Sequence, residues 1–268
     1  MPEKTRSYQA VDLTPGRRAW LNILDLPGPK HCMYGLLEVD VTAARQFIAE
    51  YKARTGEALS FTGYLVYCLA RAVEEDRAVQ AFLKGRRQIV LFDDVDVGLM
   101  VERTVGGKVT LAGCVIRGAN RKTYREIHAE IRSAQSAPPQ GGGMPAWFRS
   151  AMLLPWPLSG LFRFLLVTAV RRDPALLVSM SGTVAVSSIG MFNEGHSGWG
   201  IYAPTHPLEL VVGSTTWKPA VVEGRVEPRE ILNLTVLFDH DVIDGAPAAR
   251  FTRRLVELIE SGSGLGEP

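Results

Sequence analysis

Ile231-Leu232-Asn233-Leu234-Thr235-Val236-Leu237-Phe238 runs directly into Asp239-His240-Asp241-Val242-Ile243-Asp244-Gly245. The first eight residues read as a strand bounded by the turn residues that follow. Beyond Gly245, Phe251, Leu255 and Leu258 recur at helical spacing, with Pro247 tolerated in a first turn, so the segment reads strand, turn, helix. A histidine, a carboxylate that reads as buried and a glycine thus meet where a strand stops. Imidazole, with an ordinary pKa of about 6.5, takes and returns protons near neutral pH. His240 is therefore the candidate general base; on spacing alone, the alternative is a satisfied structural histidine.

Working outward, the pattern predicts a helix over Thr42–Thr55 with a threonine cap and Gly56 as its stop. A second helix is predicted from Ser60 to Glu75, carrying Leu65, Leu69 and Val73 on one face. A third opens with a capping box, Thr123 and Glu126, and lines Tyr124, Ile127 and Ile131 along one side. Strands are predicted at Gln88–Phe92, Val95–Val101, Lys108–Ile116, Thr183–Ser188, Leu208–Thr216, Val221–Val226 and Ile231–Phe238. Gly106-Gly107 reads as a hairpin turn. Strands alternating with helices indicate an α/β sandwich, a large mixed sheet with helices packed on it.

The 268 residues, 46% of them hydrophobic, suffice for one full core, so 1–268 is expected to be a single domain. Lys plus Arg number 30 against 28 Asp plus Glu, with no long block of one sign, which argues against a nucleic-acid partner. Cys32, Cys68 and Cys114 are odd in number and widely spaced, indicating neither a disulfide framework nor a zinc site. The charged opening, with Glu3, Lys4 and Arg6, does not read as a signal peptide, and a cytoplasmic location is expected. Met144 to Val170 is apolar, but Pro145, Pro155, Pro157, Arg149 and Arg163 interrupt it, so it is not expected to span a membrane.

His240-x-x-x-Asp244-Gly245 resembles the HxxxDG signature of coenzyme A-dependent acyltransferases, the superfamily of chloramphenicol acetyltransferase and the catalytic domain of 2-oxoacid dehydrogenase E2 components. Thr183-Val184-Ala185-Val186-Ser187-Ser188-Ile189-Gly190-Met191-Phe192 is similar to an E2 strand and turn, as are Asp93 to Val101 and Val115 to Asn120. Val11-Asp12-Leu13 with Arg17-Arg18, and Leu37 to Thr42, look more like the opening of chloramphenicol acetyltransferase. The resemblance spans Tyr8 to Glu260 and implies a chloramphenicol acetyltransferase-like fold.

It also implies an acyltransferase that forms a homotrimer with active sites between subunits, where His240 of one chain faces Ser187 of its neighbour. His240 is then the base and Ser187 the oxyanion donor, with Ser188 as a rival. Asp244 is implied to form a buried ion pair with Arg18 or Arg17, and Gly245 to supply a backbone conformation or close packing. His31, His196 and Ser188 are candidates for a substrate channel. A coenzyme A thioester is the implied co-substrate, with no metal and no covalently bound cofactor. The alternatives are an acyl-carrier-protein donor, or a non-catalytic E2-like scaffold or partner-binding module.

The sequence departs from the family pattern in several places. Asp241 stands where E2 domains usually carry arginine, and Asp239 precedes His240, so the double histidine of peptide-synthetase condensation domains is absent. No lipoyl or subunit-binding segment is recognisable, and the polar tail 261–268 reads as flexible and unlike an apolar cage-building hook, so a free trimer is expected. Residues 137–177 form an apolar insertion rich in Trp147, Phe148, Trp156, Leu161, Phe164 and Leu165. It reads as a lid or acyl pocket, as a peripheral membrane or protein contact through 144–170, or as extra core or oligomer contact. His31, His128, His196 and His206 show no mutual metal-ligand spacing.

Overall fold

The computed structural model describes residues 30–105, 108–136, 150–151, 158–189 and 196–266. Strand β1 (Cys32–Asp40) is followed by helices α1 (Thr42–Thr55) and α2 (Phe61–Glu75), then by the short hairpin β2 (Phe82–Lys84) and β3 (Gln88–Val90). Next come β4 (Val97–Val105), β5 (Lys108–Ile116), α3 (Tyr124–Ser136), α4 (Leu158–Arg172), α5 (Ala175–Ser181) and β6 (Val184–Ser188). The chain closes with β7 (Leu208–Val222), β8 (Arg225–Asp239) and α6 (Gly245–Glu260).

The main sheet has the order β1-β8-β7-β6-β4-β5; β6 runs parallel to both β4 and β7, and the other neighbours are antiparallel. This is the mixed sheet with packed helices that the resemblance implied. Period-two alternation sends Leu232, Leu234, Val236 and Phe238 of β8 into the main core with Phe251, Leu255 and Leu258 of α6. Asn233, Thr235, Leu237 and Asp239 face the other way, yet all four are buried.

Local chemistry accounts for most element ends. Ser60 caps α2 by accepting from Gly63 N at 3.1 Å, and Thr123 and Glu126 form the reciprocal capping box of α3. Gly56 ends α1 in the left-handed region, at φ 80°. The threonine cap expected for α1 is replaced by an Asp40 carboxylate that accepts from Thr42 N at 2.9 Å and Thr42 Oγ1 at 2.6 Å.

The strand expected at Val221–Val226 is instead the bend of one long hairpin, because Glu223 and Gly224 both adopt positive φ and turn β7 into β8. β1 and α4 were not among the predicted elements. The Gly106-Gly107 turn lies outside the described residues. The tail expected to be flexible packs as far as 266, with Leu265 buried in the main core. Among the described residues, no helix is long and apolar enough to cross a membrane.

Within the insertion, Val170 of α4 joins Phe82, Leu177 and Val178 in a second small apolar cluster, with Phe92 and Leu166 against it. The opposite side of α4 stays exposed at Leu158, Leu161, Phe164 and Leu165. Residues 137–149 and 152–157 lie outside the described residues.

Candidate active site

The end of β8 is fixed before its histidine is placed. Asp239 N donates to Pro207 O at 2.8 Å, while the Asp239 carbonyl accepts from Val242 N and Ile243 N. Its carboxylate accepts from Asp241 N at 3.1 Å and meets Lys30 Nζ at 3.0 Å, with the two side chains only 8% and 10% exposed. His240 N then donates to His31 O at 2.6 Å, tying this turn to the start of β1. His240 thereby presents its ring, about half exposed, from a rigid support.

The ion pair implied for Asp244 is not among the described contacts. Its carboxylate is 89% exposed, and Oδ1 stands 3.9 Å from His240 Nδ1, beyond hydrogen-bond length. Asp244 is the N-cap residue of α6, with no side-chain cap bond, and Arg17 and Arg18 lie outside the described residues. The buried, paired carboxylate of this turn is Asp239. Its position follows from β8 parity: Asp239 continues the row Asn233, Thr235, Leu237 that turns away from the helices, and Lys30 closes over that side. Gly245 has open space around its α-carbon, so close packing is not what places a glycine there.

His31 stands beside this turn, where its Nδ1 meets Asp241 Oδ1 at 2.8 Å. Lys30, His31, Asp239 and Asp241 form one wall of a cavity of about 580 Å³. Phe82, Val170 and Leu177 add apolar lining, and Arg86 and Arg171 add positive charge.

Ser187 lies elsewhere. It pairs with Val211 of β7, which pairs with Thr235 of β8. His240 follows Thr235 by five positions, roughly 16 Å of strand. Within one chain the two residues do not meet. Ser187 is half-buried on the sheet face away from the helices, Ser188 is exposed, and neither hydroxyl has a hydrogen-bond partner among the described residues.

His196 is exposed at the start of a loop laid across that same face. Ser197 Oγ accepts from Asn233 Nδ2 at 2.8 Å, and Gly198 N donates to Ser214 Oγ at 2.8 Å. Gly213 permits the approach, since a Cβ there would come within 2.5 Å of Gly198 O and 2.6 Å of Asn233 O. Asn233 Oδ1 and Thr235 Oγ1, both buried, find no partner among the described residues.

Sequence reasoning also missed a polar cluster behind the cavity. Glu209, fully buried, accepts from Thr205 N at 2.5 Å, His206 N at 2.7 Å and Tyr202 Oη, and His206 Nε2 lies 3.1 Å from Ser181 Oγ. Burial pushes the Glu209 carboxyl up, but the hydrogen bonds and charge of His206 and the bond from Tyr202 outweigh it and hold the pKa at about 2. A glutamate inside an apolar strand, Leu208-Glu209-Leu210-Val211, was the available signal. His128 is structural: its Nδ1 accepts from Ser60 N at 3.0 Å, and its Nε2 lies 3.1 Å from Glu57.

The family model described as 2-oxoacid dehydrogenases acyltransferase (catalytic domain) matches residues 6–141 and 166–266. The lipoamide acyltransferase component of the branched-chain alpha-keto acid dehydrogenase complex of Bacillus subtilis is 26% identical over 231 residues, covering 84% of this chain and 46% of that protein. The chain thus spans about half the length of the curated relatives it matches. Among solved structures, Azotobacter vinelandii dihydrolipoamide acetyltransferase superposes with a TM-score of 0.67 at 20% identity, covering 97% of this chain and 94% of that one. It was solved to investigate a serine, a histidine and an asparagine in its catalytic mechanism. A chloramphenicol acetyltransferase superposes with a TM-score of 0.51 at 14% identity, over 94% and 95% of the two chains. With its fold and nearly its whole length matched, the chain belongs to the family of 2-oxoacid dehydrogenase acyltransferase catalytic domains.

Proposed function

We propose that this chain transfers an acyl group between a thiol carrier, coenzyme A in the first instance, and an acceptor, with His240 as general base. The observation that carries this reading is the pinned turn at the end of β8. It holds a solvent-accessible imidazole on a buried Lys30–Asp239 pair, in a chain of an acyltransferase family.

The chemistry follows from proton affinities. A thiol of pKa about 8.5 is mostly protonated at neutral pH, and the thiolate is the nucleophile. Neutral His240 removes the thiol proton as sulfur bonds to the acyl carbonyl carbon, and the carbonyl π pair moves onto oxygen. When that oxyanion collapses, the bond to the leaving group breaks and the imidazolium returns the proton to it.

Ser187 is the proposed oxyanion donor, supplied by a neighbouring copy, since roughly 16 Å of strand separates it from His240 in its own chain. This requires an oligomer with the active site between subunits, and a homotrimer is the arrangement we propose. Phe82, Val170 and Leu177, in the cavity beside the turn, supply a surface for the acyl chain. In the Azotobacter enzyme an asparagine is among the residues investigated for catalysis, four positions after the histidine, where this chain has Asp244.

The test is thiol release from a panel of short- and long-chain acyl-coenzyme A thioesters with several acceptors, dihydrolipoamide among them. His240→Ala is expected to lower turnover by about 10² or more while folding normally. Turnover indifferent to His240 would overturn the assignment, and no turnover across the panel would favour a carrier-protein donor or a scaffold.

A further inference from the structure

The exposed side of α4 is the largest feature that acyl transfer leaves unused. Leu158, Leu161 and Leu165 follow helical spacing along one stripe, all more than half exposed, and Phe164 beside them is 67% exposed. Large apolar side chains contiguous on a surface mark an interaction site. These four residues fall between 142 and 165, the stretch between the two segments matched by the family model, so the stripe is an addition to the shared fold.

The same stripe ends in cations. Arg172 continues its spacing and Arg171 flanks it, both exposed. Gly85 N donates to Arg171 O at 3.0 Å, which brings the β2–β3 turn, with exposed Lys84, Arg86 and Arg87, against the end of α4. Leu83 and Ile89 on that hairpin are exposed apolar residues as well. None of these five cations forms an ion pair with a described residue, whereas neighbouring Arg77 and Arg117 do. The nearby carboxylate of Asp173 is turned to Ala175 N at 3.1 Å.

An apolar stripe on a helix about 20 Å long, continued by five cations that form no ion pair with a described residue, is complementary to the surface of an anionic bilayer. We propose that α4 and the β2–β3 turn dock this protein on such a surface. The apolar stripe enters the boundary between headgroups and acyl chains, and Lys84, Arg86, Arg87, Arg171 and Arg172 meet the headgroup phosphates. This attachment is peripheral and is independent of the acyl-transfer reading.

The full chain should co-sediment with phosphatidylcholine vesicles that contain phosphatidylglycerol, and not with phosphatidylcholine alone. High salt should weaken the binding. Each charge removed near the surface is worth about a fivefold change in partition, so Arg87→Glu with Arg172→Glu should lower binding by more than tenfold. Leu161→Glu should abolish it. The charge variants sit at exposed positions and keep the test valid if Leu161→Glu fails to fold. Absence of binding to anionic vesicles, equal binding to both vesicle types, or binding unchanged in the charge variants would overturn the proposal. A lowered oligomer mass for Leu161→Glu by light scattering would assign the stripe to a second copy instead.

Discussion

Strand β8 has two faces that solve the same burial problem differently. Toward the helices it presents Leu232, Leu234, Val236 and Phe238, which need no directional partner and gain simply by leaving water. Away from them it presents Asn233, Thr235 and Asp239, equally buried, where each polar atom must be matched or left at a cost. The second face has the family's proposed oxyanion donor two strands away and the pinned histidine at its end. The proposed site sits where the strand gives up packing for polar placement.

The largest expected effect tests that contrast at Asp239. Asp239→Ala leaves Lys30 buried without its carboxylate and should lower stability by about 3–5 kcal/mol, read as a lower urea midpoint and a loss of activity with it. An unchanged midpoint would mean that the turn is held by its backbone bonds alone. Ser187→Ala, on the same face but with no described partner to lose, should split the two readouts. Turnover should fall by about 10²–10³ while stability stays within about 0.5 kcal/mol. If both are unchanged, Ser188 is the next residue to substitute.

A pH titration sharpens the contrast further. With a folded pKa of about 2 against 4.5 for an ordinary glutamate, the Glu209 carboxylate contributes stability that is fully present above about pH 4.5 and is lost as pH falls toward 2. Glu209→Gln should flatten the dependence of the urea midpoint in that window; an unchanged slope would place the acid sensitivity elsewhere. The smallest effect belongs to Thr235→Val. Thr235 Oγ1 is buried without a partner, so an isosteric apolar replacement should be neutral or stabilising by up to about 1 kcal/mol. Destabilisation beyond that would show that the hydroxyl is satisfied, by water or by a neighbouring subunit.

Much of the fold was legible because local rules and global packing agree. Lys108–Ile116 and Thr42–Thr55 form over the residues that their patterns predicted, and the capping box at Thr123 and Glu126 closes as its spacing required. The strand expected at Val221–Val226 failed because β-branched residues flank a two-residue turn, and only the positive φ of Glu223 and Gly224 distinguishes a bend from a strand. α4 was hidden because a helix with one apolar side exposed has no clean amphipathic period to detect.

The site was legible by type and not by arrangement. The sequence by itself determined that a histidine follows a strand, that Ser187 lies at the end of another, and that the signature HxxxDG is present. Only the tertiary structure decided that Asp239 and Lys30 form a buried pair, that Glu209 gathers Tyr202, Thr205 and His206, and that Ser187 and His240 stay apart within one chain. The physical reason is that strand parity and burial depend on which segments come together across long sequence separations. A carboxylate reads the same along the chain whether it is buried beside a lysine or left in water.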